Sequence, residues 1–366
     1  MSSEKKTKVL CLLPHRIGRS PGQRFRIEQY IPFLEQHGFE FTVSNLISQK
    51  DDQIFYQKGH LFRKFLIFLK TIRIRNKDLK RIGNFDMVFV FREALIHGTT
   101  KIERKIHASG IPFILDFDDS IWLLDVSEGN KSHQWLKKPE KISEIIKLST
   151  IAVTGNKYLH DYAKHFGKDV RIIPTTIDTE KFRPFPEETQ KKQICIGWTG
   201  SSTTLKHFKL AVPFLKKILD KYPEQVIIKL IADQNCDCPE LTYEFVKWNP
   251  ATEAQDINTI DIGIMPLPND EWSKGKCGFK GLQYMAFEKP AIMSPVGVNT
   301  EIITDGENGF LAASEEEWVE KLSLLIESPQ LREKLGKAGR KTVVDKYSVE
   351  ANKYKWLDAF RQALIN

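Results

Sequence analysis

Lysines, glycines and a trio of carboxylates stand in this chain where chemistry on a negatively charged group is expected. In residues 261–286, DIGIMPLPNDEWSKGKCGFKGLQYMA, a short apolar strand from Asp261 to Met265 is stopped by Pro266 and Pro268. A mobile, ligand-facing loop with Lys274, Gly275, Lys276 and Gly278 follows. Phe279, Lys280, Leu282, Tyr284, Met285 and Ala286 then have the spacing of an amphipathic helix. Amides freed by glycine, the positive end of a helix and a lysine together suit a diphosphate. Gly200, Ser201 and Ser202 end another apolar strand, and Lys206 lies on the helix after it, so this turn is a second candidate phosphate site. A solvated surface lysine is the competing reading for each cation. PFILDFDDS brings Asp116, Asp118 and Asp119 to one strand end, where their mutual repulsion suits a ligand better than stability. A divalent ion is the less favoured use of that trio. Arg24 follows Gly22 in a glycine-containing loop, Arg92 and Glu93 end a further strand, and Asn156 follows Gly155 at the end of another.

Two doubly wound sheets are needed to bring these groups together. A chain of 366 residues exceeds what one core serves, and with 41% hydrophobic residues it can fill two. KVLCLL, EFTVSNL, DMVFVF, PFILDF and TIAVTG read as strands with helical stretches between them, FRIEQYIPFLEQHG being a helix ended by Gly38. The proline-rich segment at 183–193 reads as a linker, and QICIGWTG, QVIIKLIAD, IDIGIMPL and PAIMSPV as a second parallel sheet. YSVEANKYKWLDAFRQALI reads as a last helix capped at Ser348. Ligands are then expected at the carboxyl ends of the strands, in a cleft between the domains.

The odd number of scattered cysteines, five, predicts free thiols in a reducing compartment, and Cys236 and Cys238 lack the partners a zinc site needs. No run has the length of a membrane span, and no secretion signal is evident, so a cytoplasmic protein is expected. Residues 1–180 hold 30 Lys and Arg against 21 Asp and Glu, and the rest 25 against 26, so the positive field belongs to the first half. Much of it lies at 58–83, where Leu61, Phe62, Phe65, Leu66, Phe68 and Leu69 interleave with Arg63, Lys64, Lys70, Arg73 and Arg75. Such a helix either lies on an anionic membrane, here the inner face, or packs on the first domain with a basic solvated side. No nucleic-acid-binding module is present in the sequence.

IGWTGSSTTLKHF (196–208), IDIGIMPLP (260–268), KCGFKGLQYMA (276–286), SPVGVNTEII (294–303) and DGENGFLA (305–312) have an order and spacing that resemble the family 4 (group 1) glycosyltransferases. SPGQRFRIEQYIPFLEQHG (20–38), the strand ending in DFDD and IPTTIDTEKFRP (173–184) extend the resemblance to the first half. It implies an α/β chain of the GT-B fold: an acceptor-side Rossmann-like domain at 1–184, a nucleotide-sugar domain at 185–346, and a final helix at 347–366 crossing back to the first. The implied activity is retaining transfer of a hexose from a nucleotide-diphosphate sugar, UDP- or GDP-linked, to a glycan or lipid-linked acceptor, in surface-polysaccharide synthesis. No essential cofactor or metal, and no carboxylate nucleophile, is implied.

The same resemblance assigns Gly200, Ser201, Ser202, Lys206, Gly278, Lys280, Gln283 and Glu301 to the donor, with Lys280 neutralising the leaving diphosphate. Asp118, with Asp119, is assigned to orienting or deprotonating the acceptor hydroxyl, and Gly22, Arg24, Arg92, Asp116 and Asn156 to the acceptor or phosphate side. Trp198 replaces an arginine common in the family, and the two signature glutamates fall at Gly275 and Gln283. Either Asp270 or Glu271, the nearby acids of the loop, or backbone amides are expected to replace the first of them. These departures keep a second reading open, a degenerate glycosyltransferase-like protein that binds without turnover. A dinucleotide-dependent dehydrogenase is disfavoured, because PHRIGRSPG lies where a G-x-G-x-x-G would be needed.

Overall fold

Runs of Val, Ile, Leu and Phe bounded by polar turns form the strands of two wholly parallel sheets, whose central strands are buried on both faces, as such runs require. The computed structural model describes residues 5–57, 59–123, 138–186 and 193–365. Two compact units divide the chain, residues 1–175 with 352–366, and residues 176–351.

In the first unit the strands are β1 (Thr7–His15), β2 (Phe39–Ile47), β3 (Met87–Phe91), β4 (Phe113–Phe117), β5 (Ile151–Thr154) and β6 (Val170–Ile172). Their order in the sheet is β2-β1-β3-β4-β5-β6. Strand order therefore reverses between β1 and β3, which makes their carboxyl ends the natural place for a ligand. The helices here are α1 (Pro21–Arg26), α2 (Ile31–Gln36), α3 (Gln49–Phe55), α4 (Leu61–Lys80), α5 (Lys101–Ala108), α6 (Lys141–Leu148) and α7 (Lys157–Lys164). The single helix expected from Phe25 to Gly38 is instead α1, a tight turn at Glu28–Tyr30 and α2. Pro32 is the reason: it lacks an N–H, and its ring would meet the carbonyl four residues earlier in a continuous helix.

The second unit holds β7 (Ile194–Gly200), β8 (Val226–Ala232), β9 (Glu244–Lys247), β10 (Ile262–Met265), β11 (Ala291–Met293) and β12 (Phe310–Leu311), ordered β12-β11-β10-β7-β8-β9. Its switch point lies between β7 and β10. The helices are α8 (Leu205–Lys209), α9 (Val212–Lys221), α10 (Glu253–Asn258), α11 (Glu271–Lys274), α12 (Phe279–Ala286), α13 (Asn299–Ile302), α14 (Glu315–Glu327) and α15 (Pro329–Thr342). The loop expected to be mobile after β10 contains α11, capped by Asp270, whose Oδ1 accepts from the Ser273 amide at 2.7 Å. The last helix, α16 (Val349–Ala363), begins at Ser348, whose Oγ accepts from the Ala351 N–H at 3.1 Å, as its sequence predicts. Trp356, Leu357 and Phe360 of α16 are buried, Trp356 beside Tyr30 and Phe360 stacked parallel to Phe89 of β3.

Helix α4 divides along its length. Arg75, fully buried, donates to the Ala94 carbonyl at 2.7 Å and to the carbonyls of Leu13 and Ser44 at 3.1 Å, tying its carboxyl half to the ends of β1, β2 and β3. Leu61, Phe62, Phe65 and Leu66, at the other end, are 62, 73, 55 and 48% exposed. No described helix is long and apolar enough to cross a membrane. All five cysteines are free thiols.

Candidate functional site

Three lysines gather at the switch point of the second unit. His207 of α8 has its pKa pushed down to about 3, first by burial, then by the positive charges of Lys280, Lys276 and Lys206. Lys206 comes from the helix after β7, and Lys276 and Lys280 from the segment after β10, so the two strand ends that flank the switch point direct cations to one place. Lys280 is the second residue of α12, where the helix dipole disfavours a cation. Stability alone would put an acid there. Its Nζ lies 5.3 Å from the centre of the Trp198 ring, so the tryptophan that replaces the family's arginine supplies a π face under the lysine.

Glycines fit this corner tightly. A Cβ on Gly200 would lie 2.1 Å from the Trp198 ring. Gly278 caps α12 with φ of +68°, and a Cβ there would come within 2.2 Å of Ile302 Cδ1. Ser201 and Ser202 do end β7 as expected, but their amides already have acceptors. Ser201 N–H donates to Thr204 Oγ1 at 3.0 Å, and Ser202 N–H to Asp233 Oδ1 at 2.6 Å. Asp233, just past the end of β8, thus occupies one of the amides that the sequence offered to phosphate.

Gln283 is buried, and its Nε2 lies 3.4 Å from Glu253 Oε1, which also accepts from Trp248 Nε1 at 3.2 Å. Its amide is directed at a buried acid, which no spacing in the sequence announces. Tyr284 Oη accepts from the Thr199 N–H at 2.9 Å and so fixes the end of β7 from α12. Asp270 is engaged as a helix cap and Glu271 pairs with Lys274 at 2.5 Å. Glu301 is exposed, the third residue of α13.

In the first unit the carboxylate trio is divided between two arginines. Arg26 and Asp116 form a fully buried pair, with Arg26 Nε 3.2 Å from both carboxylate oxygens. Burial pushes Asp116 up, and Arg26 opposes it. Asp116 is therefore a structural acid and not one available to a ligand, because α1 presses Arg26 onto the end of β4. Arg92 takes the other two: Nε and Nη2 reach Asp118 Oδ1 at 2.9 and 2.6 Å, and Nη2 reaches Asp119 Oδ2 at 2.7 Å. Its two carboxylates hold the guanidinium more firmly protonated than usual, against the opposing effect of burial, which is the largest influence. Arg92 has a left-handed backbone, φ +63°, a strain that the fold sustains at this strand end.

Gly22 packs on this group, since a Cβ there would lie 2.7 Å from Asp118 Oδ2. Arg24 is half-buried with its guanidinium 5.0 Å from the Phe25 ring. Asn156 is buried as the cap of α7, its Oδ1 accepting from Leu159 N–H at 2.9 Å. Capping accounts for Asn156 without a ligand. Among the described residues no group of three or more His, Cys, Asp or Glu is placed to hold a metal ion.

Residues 265–342 match the family model described as glycosyl transferases group 1. A stretch of 69 residues is 41% identical to EpsD of Bacillus subtilis, provisionally described as a glycosyltransferase, and makes up 18% of each chain. Sucrose-phosphate synthase from Thermosynechococcus elongatus has the same fold, with a TM-score of 0.68 at 13% identity over 98% of this chain and 99% of that one. HepE from Anabaena, solved with UDP-glucose, has a TM-score of 0.68 at 13% identity over 97% of this chain and 99% of its own. Two parallel six-stranded units of this kind define the GT-B class. Within that fold, the similarity to the group 1 glycosyltransferases covers residues 265–342.

Proposed function

We propose that this protein is a retaining glycosyltransferase that moves a hexose from a UDP- or GDP-sugar to a glycan or lipid-linked acceptor in cell-surface polysaccharide synthesis. The observation that carries this reading is the gathering of Lys206, Lys276 and Lys280 about His207 at the switch point of the second unit. A diphosphate leaving group develops negative charge as the glycosidic bond breaks, and preorganised cations stabilise that charge more than they stabilise the bound donor. Gly278 allows the α12 amides to come close, and Glu253 with Gln283 offers the hydroxyl-binding group that the missing signature glutamate would have supplied.

On the acceptor side, Asp118 and Asp119 serve. Pairing with Arg92 orients them, which suits accepting a hydrogen bond from the attacking hydroxyl. The exposed apolar turns of α4, flanked by Arg63, Lys64, Lys70 and Arg73, rest on an anionic membrane surface in this reading. That would place the protein peripherally, on the cytoplasmic face.

A catalytically degenerate binding protein is the second reading. It is favoured by Gly275 in place of an acid and by Asp270 being engaged as a cap. Incubation with UDP-, GDP-, ADP- and CMP-sugars, with release of free nucleotide and anomeric NMR of the product as readouts, separates the two. Turnover with one donor and an unchanged anomer supports the retaining enzyme. Inversion would overturn the stereochemical part, and binding without release under every acceptor would leave the degenerate protein.

A further inference from the structure

We infer that the aromatic stack formed by Trp122 with Tyr158 and Tyr162 is a subsite for a pyranose ring of the acceptor. This rests on the reading above that the protein transfers a glycosyl group. Trp122 stacks on Tyr162 with ring centres 3.7 Å apart and planes within 6°, and it leans over Tyr158 at 5.8 Å and 29°. The two tyrosines are four residues apart and share a face of α7. Phe117 meets Trp122 edge-on at 6.4 Å. Each of the three stacked rings is only partly buried, so the stack reaches the surface at the polar carboxyl end of a sheet.

Position gives this plane its meaning. Trp122 lies three residues after Asp119, in turns closed by Ile121 N–H to the Asp119 carbonyl at 2.7 Å and by Leu123 N–H to the Ser120 carbonyl at 2.8 Å. The ring is thus held beside the carboxylates fixed by Arg92, while α7 is anchored by the Asn156 cap at the end of β5. A pyranose has one face of C–H groups and a rim of hydroxyls. An aromatic plane takes the first, and an ionised carboxylate accepts from the second.

Methyl α- and β-glucosides, galactosides and N-acetylglucosaminides, titrated into the full chain with and without UDP, test this by saturation-transfer NMR. The glycosides that bind are then used as acceptors. Trp122→Leu is expected to raise acceptor KM about 5- to 10-fold with UDP affinity unchanged, and Trp122→Phe, which keeps a flat ring, less than about 3-fold. Glycosides that bind wild type and Trp122→Leu alike overturn the subsite, as does the absence of any glycoside binding while UDP still binds. Failure of every nucleotide to bind would remove the transferase reading itself, and the subsite with it.

Discussion

Removal of Lys280 gives two readouts that must move together if the lysine group holds a diphosphate. A charge-assisted hydrogen bond to phosphate contributes about 2 kcal/mol, so Lys280→Ala should weaken UDP or GDP binding about 30-fold. Lys280 is the largest charge acting on His207 after burial. Removing that charge should therefore let His207 titrate above about 3 in the variant, toward the ordinary histidine value. Apo stability should change little, because relief of an unfavourable cation in the first turn of α12 offsets the lost contact with the Trp198 ring. Calorimetry gives the affinity and histidine-edited NMR the titration. If His207 moves as expected and nucleotide affinity does not, the lysines are neighbours without being the diphosphate site, and the reasoning fails.

Arg26→Met should cost about 3–5 kcal/mol in urea denaturation by leaving Asp116 buried without its partner, and Asp116→Asn in that background should recover part of it; a loss under about 1 kcal/mol would contradict the buried pair. Phe62→Ser with Phe65→Ser should reduce co-sedimentation with anionic liposomes at low salt without altering UDP affinity, and unchanged sedimentation would count against membrane docking of α4. Stability should fall as the solution is acidified from neutrality. His15, His97 and His207 are held down to about 4, 4 and 3, first by burial in each case, while the unfolded chain titrates at the ordinary histidine value of about 6.5. Over that window the unfolded state binds more protons, so each histidine contributes stability that is present above about pH 6.5 and lost toward pH 4, on the order of 2 kcal/mol each. Thermal melts from pH 7.5 to 4.5 measure it, and a flat profile would be inconsistent with neutral buried imidazoles.

Long apolar strands were readable because burial on both faces leaves an unbroken run, as in Met87–Phe91 and Ile262–Met265. The edge strands β6, β9 and β12 are two to four residues long and partly exposed, so they leave no such run. Pro32 was visible, yet its effect depends on whether the chain continues as one helix or restarts, which packing decides. At the candidate site, the glycines and lysines could be read because their roles follow from backbone freedom and charge. The pairing of Arg26 with Asp116, separated by 90 residues, could not be read, and neither could Asp233 reaching the Ser202 amide. Such pairings depend on sheet order, and sequence spacing carries no trace of it.

The passage of α16 out of one unit and into the other sets an order of events during synthesis. Residues 176–351 are contiguous, so that unit has all of its chain before the last helix is made. The first unit is begun before residues 176–351 and completed after them, because Trp356 and Phe360, which fill its core beside Tyr30 and Phe89, follow that stretch. Until those residues are made, β2 and β3 leave uncovered the aromatic surface that Trp356 and Phe360 pack against, and exposed surface of that kind invites aggregation. A chain released at residue 351 would hold one unit with all of its residues and one without the helix that covers its core.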